Sequence, residues 1–239
     1  MTKSDILFSI ITVVYNGEKT IKKTLESVLT QKYLNYEYII VDGKSTDATI
    51  EIIEQIKNDK VKYISEVDNG IYDAMNKGLG MANGDYCIFL GADDVFADEE
   101  VLKKVNELVK NQDRNCIYYG NVIMSKDNSL YDGVFTKKKF AIKNICHQAI
   151  FYPKSIYSTR KYNTQYKITA DYVYNMPLFN KMNYIDVSIT IFNNSSGISS
   201  NIIDRKFRLN YSFLILRYLG FKYFMINIYD RFFHHLLHF

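Results

Sequence analysis

The segment Tyr86-Cys-Ile-Phe-Leu-Gly-Ala-Asp-Asp94 constrains the fold most: an unbroken apolar run stops at a Gly-Ala pair and then at two adjacent carboxylates. A short apolar run without alternation marks a strand covered on both faces, as in a parallel sheet. Gly91 and Ala92 carry almost no side chain, so another molecule can approach the backbone where the strand ends. Open α/β sheets bind ligands at the carboxyl ends of their strands, and Asp93 and Asp94 stand at such an end. Neighbouring carboxylates repel unless positive charge lies beside them. A hard divalent cation carrying a diphosphate, Mn2+ or Mg2+, relieves that repulsion through oxygen ligands. The plainer alternative is one Asp capping the next helix and the other solvated.

The preceding chain supplies the neighbours such a strand needs. Leu7 to Val14 is a second apolar, β-branched run that ends at Tyr15-Asn16-Gly17, a turn signal. Ile21, Leu25, Val28 and Leu29 then form one helical stripe. Tyr36 to Val41 is a further strand, closing on Asp42-Gly43. Ser45, Thr46 and Asp47 are N-cap candidates for a helix carrying Ile52, Ile53 and Ile56. Val61 to Ser65 reads as a short strand, residues 71–82 as a helix, and Asp98 as the N-cap of a helix with Glu99 and Glu100 in its first turn. Strand and helix thus alternate through the first 110 residues, which predicts right-handed βαβ units around a mostly parallel sheet. No Gly-x-Gly-x-x-Gly follows the first strand and no Gly-Lys-Ser/Thr loop occurs, which disfavours dinucleotide-binding and P-loop enzymes.

The second half is less regular. Cys116–Met124 and Ser129–Phe135 are predicted as strands joined by a turn at Lys126-Asp127-Asn128. Thr169–Asn180 is predicted helical despite Pro177, and Tyr184–Phe192 as a strand. Four strand ends, at Thr12–Asn16, Asp42, Asp68 and Asp93-Asp94, fall on one rim of such a sheet. One Asp there is ordinary turn chemistry, but four favour a polar cleft.

The three cysteines are odd in number and far apart, which supports neither a disulfide framework nor a zinc site and suits a reducing cytoplasm. The N-terminus, Met-Thr-Lys-Ser-Asp, has neither the charged nor the apolar region of a signal peptide. Six of the 30 basic and two of the 26 acidic residues lie from Asp204 on, leaving 24 of each in residues 1–203. The net +4 therefore belongs to the tail, whereas a nucleic-acid protein would spread basic residues over its folded face. From Asn210 the tail interleaves aromatic, aliphatic and basic residues. Its uncharged run Leu209–Leu216 is eight residues, against the roughly 20 that span a bilayer. That composition favours a helical segment lying on a membrane surface, drawn by anionic lipid. The alternatives are packing back on the domain or a homodimer contact. His234, His235 and His238 have metal-like spacing, but at the chain terminus they read as solvated or interfacial.

Four blocks, Ser9-Ile-Ile-Thr-Val-Val-Tyr-Asn16, Ile39-Ile-Val-Asp-Gly-Lys-Ser-Thr-Asp47, Asp68-Asn-Gly-Ile-Tyr-Asp-Ala-Met-Asn-Lys-Gly78 and Gly91-Ala-Asp-Asp94, together resemble the family 2 glycosyltransferases. The resemblance is strong over residues 6–110 and weaker over 140–195. It implies an α/β GT-A fold, a Rossmann-like, mostly parallel central sheet flanked by helices. Residues 1–200 would form the glycosyltransferase domain, with 1–110 the nucleotide-sugar half and 111–200 the acceptor half. Residues 201–239 would be a basic, aromatic helical tail.

By that resemblance Thr12, Val13 and Tyr15 would line the uracil and ribose pocket, Asp42 would bond the base, and Asp68 would sit on the nucleoside side. Asp93 and Asp94 would be the Asp-x-Asp element, Asp94 the metal ligand and Asp93 nearer the ribose and metal-bound water. Gly91 stands where many members carry the first Asp. Asp171, in Ile168-Thr-Ala-Asp-Tyr-Val-Tyr174, would be the base that takes the acceptor's proton, with an N-cap as its plainer role. Tyr172 and His147-Gln148 would lie on the acceptor side. His147, the one histidine outside the tail, is otherwise a structural residue or a group acting near neutral pH.

The implied activity is inverting, metal-dependent transfer of a hexosyl or N-acetylhexosaminyl group from a UDP-sugar to a lipid-linked saccharide of a bacterial surface polymer (O-antigen or capsule). It would take place at the inner face of the plasma membrane. The rivals are a sugar nucleotidyltransferase, whose Gly-rich basic loop is missing between Val13 and Glu18, and a silent nucleotide-binding membrane assembly partner.

Overall fold

β1 (Phe8–Val14) is buried on both faces because its apolar run feeds two hydrophobic layers at once. Phe8 and Ile10 enter one layer and Ile11 the other. The computed structural model describes residues 4–131, 133–193 and 204–236. Helix α1 (Ile21–Leu29) covers the first layer with Ile21, Leu25 and Val28. β2 (Tyr36–Asp42) repeats the pattern of β1, with Tyr38 and Ile40 on one side and Ile39 and Val41 on the other. After α2 (Thr49–Glu54) and β3 (Val61–Ser65), helix α3 (Ile71–Met81) covers the second layer through Tyr72, Met75 and Leu79. Gly78 sets its distance, because a Cβ there would lie 2.5 Å from Ile11 Cγ2. β4 (Tyr86–Phe89) follows, then β5 (Val95–Phe96) and α4 (Val101–Val109), whose apolar stripe returns to the first layer.

β6 (Ile117–Met124), α5 (Lys137–Phe140), β7 (Ile150–Pro153), α6 (Lys154–Tyr157), α7 (Ala170–Asn175) and β8 (Met182–Phe192) build the second half. The tail adds α8 (Arg205–Leu219) and α9 (Phe221–Leu236). The eight strands take the order β3-β2-β1-β4-β7-β6-β8-β5. The first four are parallel, so the carboxyl ends predicted to share a rim do share one. β7 runs antiparallel between β4 and β6, and β8 lies parallel to β6.

Several local expectations change. Among the described residues Ser129–Phe135 is not a strand, and the predicted hairpin is reduced to its turn end: Met124 N–H donates to Ser129 O and Tyr131 N–H to Val122 O around one bridge, Ile123 to Leu130. The helix predicted over Thr169–Asn180 is α up to Asn175 and 3-10 over Met176–Lys181, tightening around Pro177. Asp98 lies short of α4, and its carboxylate takes the Glu100 N–H and pairs with Lys104. Asp47 accepts from the N–H and hydroxyl of Thr49, the first residue of α2.

The tail does pack back on the domain. Ile215 and Leu219 are buried in the second layer, and Tyr211 and Asn227 both bond Ala141 O. The side chains of His234, His235 and His238 lie outside the described residues.

Candidate active site

Asn16 and Lys44, at the ends of β1 and β2, both adopt left-handed backbone, so the two strand exits turn sharply against each other. Their loops are stapled: Asn16 N–H donates to Ser45 Oγ, Thr46 N–H to Asn16 Oδ1, and Gly17 N–H to Thr49 Oγ1. This rim borders a cleft of about 550 Å3, lined by β1's exit, the start of α3, the loop after β4 and segments 144–148 and 168–171.

Val13 and Tyr15 line the cleft, Tyr15 with its ring largely exposed at the mouth. Thr12 does not reach it. Its side chain is fully buried and accepts the Tyr38 hydroxyl, so the predicted sugar or base contact becomes a core hydrogen bond. Asp42 is likewise fully buried, its carboxylate taking the N–H and hydroxyl of Ser45 and the hydroxyl of Ser65. Those three donors fix the carboxylate within the turn that leaves β2. Asp68 is partly exposed and accepts the Gly70 N–H. Gly43 separates it from Tyr15: a Cβ there would lie 2.6 Å from Asp68 Oδ2 and 3.4 Å from the Tyr15 ring. Tyr15 and Asp68 thus border one corner of the rim.

The adjacent carboxylates divide differently from expectation. Asp93 lines the cleft and receives the Asn193 side-chain amide at 3.3 Å. Asp94 turns into the protein and is only 1 % exposed, with Oδ1 accepting the Asn193 N–H at 2.8 Å and Oδ2 the Gln148 amide at 3.1 Å. The metal contact assigned to Asp94 therefore cannot be made from this position, and Asp93 is the carboxylate that faces the space. Burial, with the Asp93 charge adding to it, pushes the Asp94 carboxyl up to about 6 against the opposing hydrogen bonds. Burial also raises Asp93.

Among the described residues no group of three His, Cys, Asp or Glu side chains is placed to hold a metal ion. A cation that brings its own diphosphate oxygens and waters needs only one or two protein carboxylates, and Asp93 fits that lesser demand.

Across the cleft, Asp171 lies in the first turn of α7, held by two hydrogen bonds with His147 beside it. Tyr72 OH donates to Oδ1 at 2.8 Å, Asn144 Nδ2 donates to Oδ2 at 2.7 Å, and His147 Nδ1 lies 3.5 Å from Oδ2. Burial and the Asp171 charge push the Tyr72 hydroxyl far above the ordinary phenol range, so it stays a donor. His147 reaches the cleft beside Asp171. Gln148 is on the wall, but its amide is engaged by Asp94 and the Cys146 thiol. Tyr172 faces away: one helical step from Asp171, its hydroxyl donates to Phe140 O and meets Tyr211 OH of α8 at 2.9 Å. It belongs to the tail's docking surface and not to the acceptor wall.

Tyr72, Asn144 and Asn193 were not singled out from the sequence. Tyr72 and Asn144 lie inside the segments Asp68–Gly78 and Asn144–Phe151, but nothing local shows that they converge on one carboxylate.

The profile described as "Glycosyl transferase family 2" matches residues 9–187. The "PGL/p-HBAD biosynthesis glycosyltransferase" of Mycobacterium tuberculosis is 33 % identical over 210 residues, covering 84 % of this chain and 82 % of its own. The "UDP-Glc:alpha-D-GlcNAc-diphosphoundecaprenol beta-1,3-glucosyltransferase WfgD" of Escherichia coli is 27 % identical, covering 87 % of this chain and 79 % of its own. Among solved structures, S. aureus TarS 1-349 in complex with UDP-GlcNAc superposes with a TM-score of 0.74 at 19 % identity. The match covers 87 % of this chain and 66 % of that one, just under two thirds of its length. The mannosyltransferase PcManGT from Pyrobaculum calidifontis, in complex with GDP-Man and Mn2+, gives 0.59 at 15 % identity, covering 77 % of this chain and 55 % of that one. These likenesses show the GT-A fold.

Proposed function

The chain belongs to glycosyl transferase family 2, and from that premise we propose an inverting transfer of one hexosyl or N-acetylhexosaminyl group from a UDP-sugar to a lipid-linked saccharide hydroxyl. The observation that carries this reading is Asp171, a carboxylate with a hydrogen bond on each oxygen, on the wall of the same cleft that Asp93 faces. A general base must be oriented before it can act, and the Tyr72 and Asn144 donors orient this one.

The nucleoside lies at the corner bordered by Tyr15 and Asp68, and the diphosphate reaches toward Asp93. Asp93 would hold a Mn2+ or Mg2+ ion there, which would supply Lewis-acid stabilisation of the departing diphosphate. The acceptor hydroxyl enters beside Asp171. Its oxygen bonds C1 as the bond from C1 to the diphosphate breaks, its proton passes to the Asp171 carboxylate, and the anomeric carbon inverts. Tyr72 and Asn144 keep the carboxylate aimed, and His147 borders the acceptor. The name of the E. coli relative, with a diphosphoundecaprenol acceptor, supports a lipid-linked saccharide as the acceptor. No helix among the described residues is long and apolar enough to cross a membrane.

The test is a panel of UDP-sugars with Mn2+ and a synthetic polyprenyl-diphosphate saccharide. Acceptor-dependent UDP release with an inverted linkage in the product supports the reading. Release of pyrophosphate from UTP and a sugar phosphate would instead point to a nucleotidyltransferase, and UDP binding without release from any donor to a silent assembly partner.

A further inference from the structure

The two tail helices have unlike faces. Tyr211, Ile215 and Leu219 recur at helical spacing on α8 and face the domain, as Asn227 does on α9. On the opposite side α8 carries Leu209, Phe213 and Leu216, and α9 carries Phe221, Met225 and Ile228, each an i, i+4, i+7 row. Leu209 is 85 %, Phe213 60 % and Phe221 67 % exposed. Large apolar side chains held in ordered rows in water mark a surface that meets a partner.

We propose that this outer face of the α8–α9 hairpin docks on an anionic lipid surface. Charge selects the partner. Arg205, Arg208, Arg217 and Lys222 are exposed on the same two helices, and the tail carries the whole net +4 of the chain. Apolar rows flanked by guanidinium and ammonium groups match acyl chains beneath anionic headgroups. A second copy of the chain matches poorly, because an isologous contact would set two such cationic surfaces against each other.

The hairpin is coupled to the site through α7. Tyr172 OH lies 2.9 Å from Tyr211 OH, and Tyr211 and Asn227 both donate to Ala141 O. Asp171 is the next residue along α7, on the cleft side. A lipid surface under α8 and α9 therefore lies behind the helix that bears the carboxylate. This coupling rests on the reading of Asp171 as the base, whereas the docking does not.

The experiment is co-sedimentation of the full chain with vesicles of phosphatidylcholine alone and of phosphatidylcholine mixed with phosphatidylglycerol. Two variants are compared: Leu209→Ser/Phe213→Ser/Met225→Ser on the apolar rows and Arg208→Glu/Arg217→Glu/Lys222→Glu on the basic positions. All six side chains are exposed, so both variants should keep the wild-type unfolding midpoint and UDP-sugar turnover on a soluble acceptor. Wild type should bind the anionic vesicles at least ~10-fold more tightly than the neutral ones, and each variant should lose at least ~10-fold. Equal binding to both lipids, no binding to either, or variants that bind as wild type would overturn docking. So would a lipid-free dimer, seen by sedimentation equilibrium, that the same substitutions abolish. Vesicle binding without any sugar transfer would count against the transferase reading alone.

Discussion

Tyr72 and Asp171 stand 99 residues apart in sequence and share a buried hydrogen bond of 2.8 Å, the Tyr72 hydroxyl donating to Asp171 Oδ1. Tyr72 comes from the helix that covers the nucleotide half and Asp171 from the acceptor half, so this bond ties the proposed base to the donor side of the cleft. Tyr72→Phe keeps the ring's packing and removes only the donor. Turnover should fall about 10-fold, with the donor KM little changed, because one of the two hydrogen bonds that orient the carboxylate is lost. A merely structural role would lower the unfolding midpoint and leave kcat intact.

Asp171→Asn removes the proton acceptor and keeps the shape. Turnover should drop ~100-fold or more, the scale of general-base effects, while UDP-sugar affinity stays near wild type. Near-normal turnover, or a product that retains the donor's anomeric configuration, would take Asp171 out of the chemistry.

Chelation by EDTA should abolish transfer, and Mn2+ or Mg2+ should restore it. Asp93→Ala should raise the metal concentration needed at least ~10-fold without shifting thermal unfolding, since this carboxylate faces the cleft and makes few internal bonds. Full activity in EDTA would remove the cation from the reaction.

Gly91→Asp would add a third carboxylate beside Asp93 and Asp94, and it should not tighten metal binding. A Cβ at Gly91 would run into Asp94 Oδ2, which Gln148 holds in place. Overpacking of this kind costs about 1–3 kcal/mol, readable as a lower urea midpoint. A tighter metal-binding isotherm at unchanged stability would show that the loop relaxes to admit the side chain.

Asp94 gives a pH dependence of stability with a defined sign. Burial lifts its carboxyl from 3.8 to about 6, so between those values the folded chain binds more protons than the unfolded one. Its contribution to stability is complete below about pH 4 and is lost as pH rises through about 6. Relative to Asp94→Asn, measured in EDTA, wild type should therefore lose about 2 kcal/mol from pH 4 to pH 7. Urea unfolding of both proteins across that range checks it, and a flat difference would place the group's folded pKa near its ordinary value.

What the sequence by itself determined is the scaffold of the first half. Runs such as Leu7–Val14 and Tyr86–Leu90 can be satisfied only by burial on both faces, and the helical stripes between them supply the cover. Parallel strands then put their polar exits on one rim, so the cleft's position follows from local pattern alone. Only the tertiary structure decided which side chains face that cleft. Asp93 and Asp94 are indistinguishable in sequence, and Asp94 turns inward because Asn193 and Gln148, far along the chain, offer it donors. Asp171 and Tyr172 part in the same way, one drawn by Tyr72 and Asn144 and the other by Tyr211 and Phe140. The predicted hairpin after β6 survives only at its turn end, around the Ile123–Leu130 bridge, and β7 takes the Tyr118–Tyr119 end of that edge. Periodicity reports what a residue needs from its immediate neighbours in the chain. The orientation of a buried polar group is set by partners that only folding brings within hydrogen-bond reach.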